Sequence, residues 1–297
     1  MKKVWFITGS ARGLGNSITK AVLASGDNVA ATARHPEQLK ELHDQYKHQL
    51  YPLHLDVTHR AQIKAAVEHT IKHFGRIDVL VNNAGFGTVG AAEAFTDEQV
   101  ASQLATNLYA PIEITRTILP YMRAQRSGRI IQISSIGGRI GNAGLSIYQA
   151  AKFGISGFSE ALAQEVAPLG ILVTAVEPGG FRTDWAGTSM TFAPKVEGYE
   201  KTVDWLADFI SSDKFTPMGD PEKAAKVIVE LAKHPEPPVH LVLGSEAVNF
   251  LRHADAMREA EFEKWLPVSI STDAKDAIDF FETEAGKRLG EGLRYKV

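Results

Sequence analysis

Tyr148 and Lys152 stand four residues apart in the run Tyr148-Gln149-Ala150-Ala151-Lys152. If that run opens a helix, the i, i+4 spacing puts both side chains on one face. A phenol ionises near pH 10, too high for an effective base at neutral pH, and an ammonium close by favours the phenolate and lowers that value. The pair is therefore a candidate for moving a proton at a reacting oxygen. A Tyr–Lys pair is also common on a solvated helix face, so its weight comes from what precedes it. The apolar run 129–134 ends in Ser134-Ser135, thirteen residues before Tyr148. A hydroxyl at the C-terminal edge of a parallel strand lies on the ligand side of the sheet. Consecutive strand residues point to opposite faces, so one of the two serines is expected at the site, unless both merely cap the strand or bond backbone.

A second constellation is suited to phosphate. The run 4–7 is followed by Thr8-Gly9-Ser10-Ala11-Arg12-Gly13-Leu14-Gly15 and then by helical spacing. Glycines let the backbone turn tightly and approach a ligand, and a helix N-terminus offers N–H groups and a positive dipole end to a pyrophosphate. The spacing is G-x-x-x-G-x-G, and no Gly-Lys-Ser/Thr follows, which argues against a P-loop nucleotidase. NAD sites place a carboxylate about 20 residues beyond the glycines, on the ribose 2′-hydroxyl. Here Val29-Ala30-Ala31-Thr32-Ala33-Arg34 puts Ala33 at that place, with Arg34 next. Arg34 and Arg12 would suit a 2′-phosphate, which a guanidinium fork holds and a carboxylate repels. NADP(H) is expected over NAD(H).

These residues need a frame. Short apolar runs at 4–7, 28–32, 50–54, 77–81, 129–134 and 171–176 alternate with helical spacing at 14–25, 36–47, 59–74, 97–124 and 147–167. Strict alternation implies βαβ units, right-handed crossovers and a doubly wound parallel sheet of the Rossmann type, three layers α/β/α. A further helix-like stretch at 220–233 leads to a last apolar run, Val239–Leu243. The expected division is a dinucleotide-binding and catalytic domain over 1–245 and a C-terminal helical extension over 246–297 that is not an independent domain. Residues 180–200 follow no period, as expected of a functional loop.

In the order and spacing of these motifs the chain resembles the short-chain dehydrogenase/reductase family, over about residues 3 to 245. The motifs are Thr8-Gly9-x3-Gly13-x-Gly15, Asp56-Val57, Asn82-Asn83-Ala84-Gly85, Asn107, Ser135, Tyr148, Lys152 and Pro178-Gly179. The resemblance implies that Tyr148 is the general acid/base, that Ser135 rather than Ser134 holds the substrate oxygen, and that Lys152 binds the nicotinamide ribose and depresses the Tyr148 pKa, helped by the cationic ring. It implies that Asn107 supports a water relaying protons from Lys152. Asp56 and Val57 would flank the adenine, and Asn83, Ala84 and Gly85 would pass beneath the ribose. Thr183 would bond the carboxamide beyond Pro178 and Gly179, although Gly180 stands where many members carry a larger residue. The turn Gly9–Gly15, with Ser10, Ala11 and Leu14 in it, would hold the pyrophosphate.

The substrate expected is a small carbonyl or alcohol, apolar because Phe86, Ile136, Phe181, Trp185, Met190 and Phe192 fall where they can line a pocket. The tail is amphipathic. Phe250, Ala254 and Met257 share a face that Phe262, Trp265 and Leu266 extend, as a lid over the pocket or a contact between subunits. Helices like 97–124 and 147–167 pack subunits together in many family members, so a homodimer or homotetramer is expected. The chain has 297 residues, a formal charge of −3 and no cysteine. That excludes disulfides, thiolate catalysis and thiolate-held zinc, and disfavours nucleic-acid partners. The His69 and His73 pair has no acidic third ligand beside it, so no metal is expected. No apolar run is long enough for a signal peptide core or a membrane span, and a cytoplasmic location follows as an expectation. The alternative is a non-catalytic NADP(H)-binding sensor or scaffold on the same fold. Such proteins usually lose a member of the Ser–Tyr–Lys set, and all three are present.

Overall fold

Seven strands lie side by side, all parallel, in a computed structural model that describes residues 2–183, 189–212 and 214–292. They are β1 (Val4–Thr8), β2 (Asn28–Ala33), β3 (Leu50–His54), β4 (Val79–Asn82), β6 (Gly128–Ile133), β7 (Ile171–Pro178) and β9 (His240–Leu243), in the order β3-β2-β1-β4-β6-β7-β9. The order reverses between β1 and β4, and ligands of open α/β sheets bind beyond the carboxyl ends of strands at such a point.

Every residue of β1 is buried, as a central strand covered on both faces must be. Its alternation divides the core. Trp5 and Ile7 pack with Ile18 and Val22 of α1 (Gly13–Ala24) and with Ala225 and Ile228 of α8 (Pro221–Leu231). Phe6 packs on the other side with α3 (Arg60–Phe74), α5 (Ala110–Gln125) and α6 (Ser146–Val166), through Val67, Ile114 and Leu162. The result is the doubly wound three-layer fold. Asp220 accepts from the N–H groups of Glu222 and Lys223 at the start of α8, and Thr96 and Gln99 cap each other at the start of α4 (Asp97–Leu104).

Three local features differ from the sequence pattern. The helical stretch 97–124 is α4, then a π-helical turn over Ala105–Tyr109, then α5. The stretch 36–47 is a 3-10 turn over Pro36–Leu39 and the short α2 (Lys40–Gln45). Within the irregular 180–200 region, β8 (Met190–Phe192) pairs in parallel with β5 (Gly87–Val89) as a small second sheet, and α7 (Trp205–Ser211) follows.

Met1–Phe250 and Leu251–Val297 form two compact units. Helix α9 (Ser245–Ile270) begins in the first. The second holds the rest of α9, a 3-10 turn over Phe280–Glu282 and α10 (Glu284–Gly292). No helix among the described residues is long and apolar enough to cross a membrane.

Candidate active site

The glycine turn lies where β1 gives way to α1. Gly9 and Gly13 have left-handed backbone, with φ of +68° and +53°, a conformation that costs residues with a Cβ 1 kcal/mol or more. A Cβ on Gly15 would collide with the Asn83 amide and the Gly9 carbonyl. The collision shows what the turn is built against. Asn83 Nδ2 donates to the carbonyls of Thr8 (2.9 Å) and Gly9 (3.2 Å), and Thr8 Oγ1 accepts the N–H groups of Asn83 and Ala84. The segment after β4 is thereby fastened along the turn. Arg12 is the extended N-cap of α1 and caps it with no side-chain hydrogen bond. The helix N-terminus is thus the kind of anion site that a pyrophosphate needs.

Around the turn the expected cofactor residues divide. Ala11 is half-buried, Arg12 is exposed, and Arg34 is exposed just beyond β2. In the β1–β2 register Thr8 lies beside Thr32, so Arg34 falls on the same edge as the turn. Thr183 lies close enough to Gly13 that a Cβ built there would be 3.6 Å from it. Pro178 ends β7, and the Gly179 N–H donates to the Leu243 carbonyl (2.9 Å). Ser10 departs from expectation, because its N–H bonds the Thr32 carbonyl and its hydroxyl the Ile7 carbonyl. Both donors face the sheet, and Ser10 has none left for a phosphate. Leu14 packs against the core. The Asp56 carboxylate accepts from the N–H and hydroxyl of Thr58, with His59 Nδ1 at 3.5 Å. Burial pushes its pKa up, but these bonds and His59 outweigh that and leave it below the usual value. Val57 belongs to the core.

The catalytic candidates meet at the end of β6 and the first turns of α6. Alternation separates the two serines as the strand requires. Ser134 Oγ is buried, 2.9 Å from Ser156 Oγ and 3.2 Å from the Lys152 carbonyl. Ser135 faces the other way, accepts the Gly137 N–H at 3.0 Å and hydrogen-bonds the Tyr148 hydroxyl. Lys152 Nζ lies 5.7 Å from the centre of the Tyr148 ring and donates to the Ile133 carbonyl at 2.8 Å.

Without the nicotinamide ring, burial sets the electrostatics of this pair. Burial pushes the Tyr148 phenol up to about 12, partly offset by the Ser135 hydrogen bond, and the same loss of water pushes the Lys152 ammonium down to about 8. Lys152 thus does not lower the proton affinity of Tyr148 below its ordinary value in the protein alone. Desolvation of both groups is the larger effect.

Asn107 lies in the π-helical turn, buried. Its Nδ2 donates to the Phe86 carbonyl (2.8 Å) and its Oδ1 accepts the Phe86 N–H (3.2 Å). Both amide atoms hold backbone, whereas the expected role was support of a water. A Cβ on Gly85 would come 3.2 Å from the same Oδ1. Sequence reasoning missed Gln103, whose Nε2 donates to the same Phe86 carbonyl at 3.1 Å. The signal was present, since Gln103 is four residues before Asn107 on one helix face. It also missed Glu246, whose Oε1 accepts the Gly180 N–H at 2.6 Å, and for that contact sequence holds no local cue. Of the expected pocket residues, Phe86, Ile136, Phe181 and Met190 are half-buried and Phe192 is exposed. Phe181 bridges Gly219, across which its ring lies. Trp185 lies outside the described residues. His73 stacks on Tyr51 with ring centres 4.1 Å apart.

The family model for the short chain dehydrogenases matches residues 3–192. The oxidoreductase BOA17 of Botryotinia fuckeliana (strain B05.10) is 43% identical over 92% of this chain and 100% of its own. The 3-ketodihydrosphingosine reductase of Bacteroides thetaiotaomicron is 35% identical over 82% of this chain and 88% of its own. A crystal structure of a short-chain dehydrogenase from Streptomyces avermitilis, 39% identical, superposes with a TM-score of 0.87 over 92% of this chain and 100% of that one. The chain belongs to the short chain dehydrogenase family of oxidoreductases.

Proposed function

We propose that the protein is an NADP(H)-dependent oxidoreductase that interconverts a ketone or aldehyde and its alcohol, with Tyr148 as the general acid and base. The observation that carries this reading is the contact of Ser135 with Tyr148, with Lys152 one turn along the same helix, on the sheet edge that also bears the glycine turn. The residues fit a dinucleotide. Gly9 and Gly13 hold backbone open to a ligand, the α1 N-terminus suits the pyrophosphate, and Arg12 and Arg34 suit a 2′-phosphate. When bound, the nicotinamide supplies or accepts the hydride.

The chain's own part is the proton. With its pKa near 12, Tyr148 stays protonated through neutral pH and is ready to donate to a carbonyl oxygen. Ser135, extended at the end of β6, presents its hydroxyl beside that oxygen and steadies the charge that develops there. Lys152, with a pKa near 8, is mostly cationic at neutral pH and stabilises the phenolate that donation leaves behind. Phe86, Ile136, Phe181, Met190 and Phe192 favour an apolar substrate, and the relative from Bacteroides thetaiotaomicron is by its name a ketone reductase.

NADPH oxidation against a chemically diverse panel of ketones and aldehydes tests the activity. Tyr148→Phe should lower kcat by 100-fold or more, because positioned general acids contribute that much, and should leave NADPH affinity within a few-fold. A variant that kept more than about a tenth of the wild-type kcat would remove Tyr148 from the role.

A further inference from the structure

Helix α9 is long for what it buries. Of its 26 residues only Ala247 is buried, and none between 251 and 270 is. Helices in proteins draw most of their stability from packing an apolar face, and a large exposed apolar patch marks an interaction surface. Met257, Phe262, Trp265 and Val268 are each more than half exposed.

The seam has a heptad spacing. Leu251, Ala254, Arg258, Glu261, Trp265 and Val268 occupy successive a and d positions, with Met257 and Phe262 flanking them. Set antiparallel against a second copy about the midpoint between 259 and 260, Leu251 faces Val268, Ala254 faces Trp265, and Arg258 faces Glu261, each pair occurring twice. Small meets large in the second layer and opposite charges meet in the third. A parallel arrangement would set Arg258 on Arg258, Glu261 on Glu261 and Trp265 on Trp265. The surface is thus complementary to itself under a twofold axis, as an isologous interface requires, and a charged layer within an apolar seam fixes direction and register. Arg258 already bonds Asp255 in its own helix at 2.6 Å, and its five donors allow it a second carboxylate. An anionic membrane surface suits the segment less well. Residues 251–270 carry Arg252, Arg258 and Lys264 against Asp255, Glu259, Glu261 and Glu263, and membrane-surface helices are rich in Lys and Arg on the polar face.

We propose that residues 251–268 form an antiparallel two-helix contact with the same segment of a second copy of this chain. The seam is short, so this contact opens on dilution. Sedimentation of the full-length protein over a dilution series tests it without reference to activity. Arg258→Glu, which puts like charges in the central layer, and Trp265→Asp should each halve the mass relative to wild type at equal concentration. The double variant Arg258→Glu/Glu261→Arg should restore it, because the pairs are then exchanged. The chain has no cysteine, so the register can be read by mixing Arg258→Cys chains with Glu261→Cys chains. Oxidation should join the two kinds to each other in preference to like with like. A wild type that is monomeric at every concentration overturns the proposal. So does an unchanged mass in Arg258→Glu, a double variant that fails to recover, or seam variants that keep the wild-type mass and only raise KM, which would mark a lid.

Discussion

The Glu246 carboxylate accepts the Gly180 N–H at 2.6 Å, and a Cβ on Gly180 would lie 2.9 Å from the same oxygen. The first turn of α9 is thereby tied to the start of the 180–200 loop, at a point where a side chain on residue 180 would compete with the tie. Gly180 is outside the left-handed region, so alanine is acceptable to the backbone and the conflict is with Glu246 alone. Gly180→Ala should destabilise by about 1 kcal/mol, because a hydrogen bond to a charged group is lost. In the Glu246→Ala background the same change should become neutral or stabilising by about 0.4–1 kcal/mol, from reduced entropy of the unfolded chain. Urea unfolding of the four proteins in this cycle checks it. Equal effects in both backgrounds would mean that the two residues are not coupled.

Phe86 is held by two amides that are not equivalent. Asn107 bonds both its N–H and its carbonyl, whereas Gln103 bonds the carbonyl alone and leaves its own Oε1 buried without a partner. Asn107→Ala should therefore cost about 2–3 kcal/mol, since it leaves the Phe86 N–H unsatisfied. Gln103→Met should stay within about 1 kcal/mol, since the carbonyl keeps Asn107 and an unpaired oxygen is removed. Because Phe86 is an expected pocket residue, Asn107→Ala should also raise KM more than Gln103→Met does. Denaturant unfolding and steady-state kinetics on the two variants decide.

Stability should depend on pH through the buried pair. Lys152 is pushed from 10.5 down to about 8 in the fold, so between pH 8 and 10.5 the unfolded chain binds more protons than the folded one. Stability then rises with pH across that window, and the gain is lost as pH falls through 8. From pH 7 to pH 10 the gain is about 2 kcal/mol. Tyr148 acts in the opposite sense, since its folded value near 12 exceeds the ordinary phenol value of 10.0 and stability falls above pH 10. Urea midpoints of wild type and Lys152→Met at pH 7, 8.5 and 10 test this. The variant should lose the rise, and an identical rise in both would assign it to other groups.

The sheet was legible because central parallel strands are apolar throughout, as Val4–Thr8 is, and because the runs between them repeat at helical spacing. Strand alternation and the i, i+4 rule put one of the two serines with Tyr148 and Lys152, and the family resemblance pointed to Ser135 as that serine. Other features have no local signature. The π-helical turn at Ala105–Tyr109 is marked by no residue type in the stretch 97–124. Three-residue strands such as Met190–Phe192 gain their identity from a partner about a hundred residues away. The sign of the Tyr148 shift depends on how much water burial removes, which spacing cannot show.

Cofactor preference should rest on Arg34. It follows β2 directly, on the edge where Thr32 lies beside Thr8 and hence beside the glycine turn. Ala33, just before it, stands at the place of the carboxylate that would select NAD and carries no charge that could repel a phosphate. A guanidinium–phosphate hydrogen bond contributes about 1.5–3 kcal/mol, so Arg34→Ala should weaken NADPH binding by about 10- to 100-fold. NADH has no 2′-phosphate and should bind the variant about as well as it binds wild type. Arg12→Ala should act in the same direction, and the double variant should bring the two cofactors within a few-fold of each other. Quenching of tryptophan fluorescence by each cofactor gives the affinities directly. A parallel loss of NADH and NADPH affinity would show that Arg34 shapes the turn and does not read the phosphate.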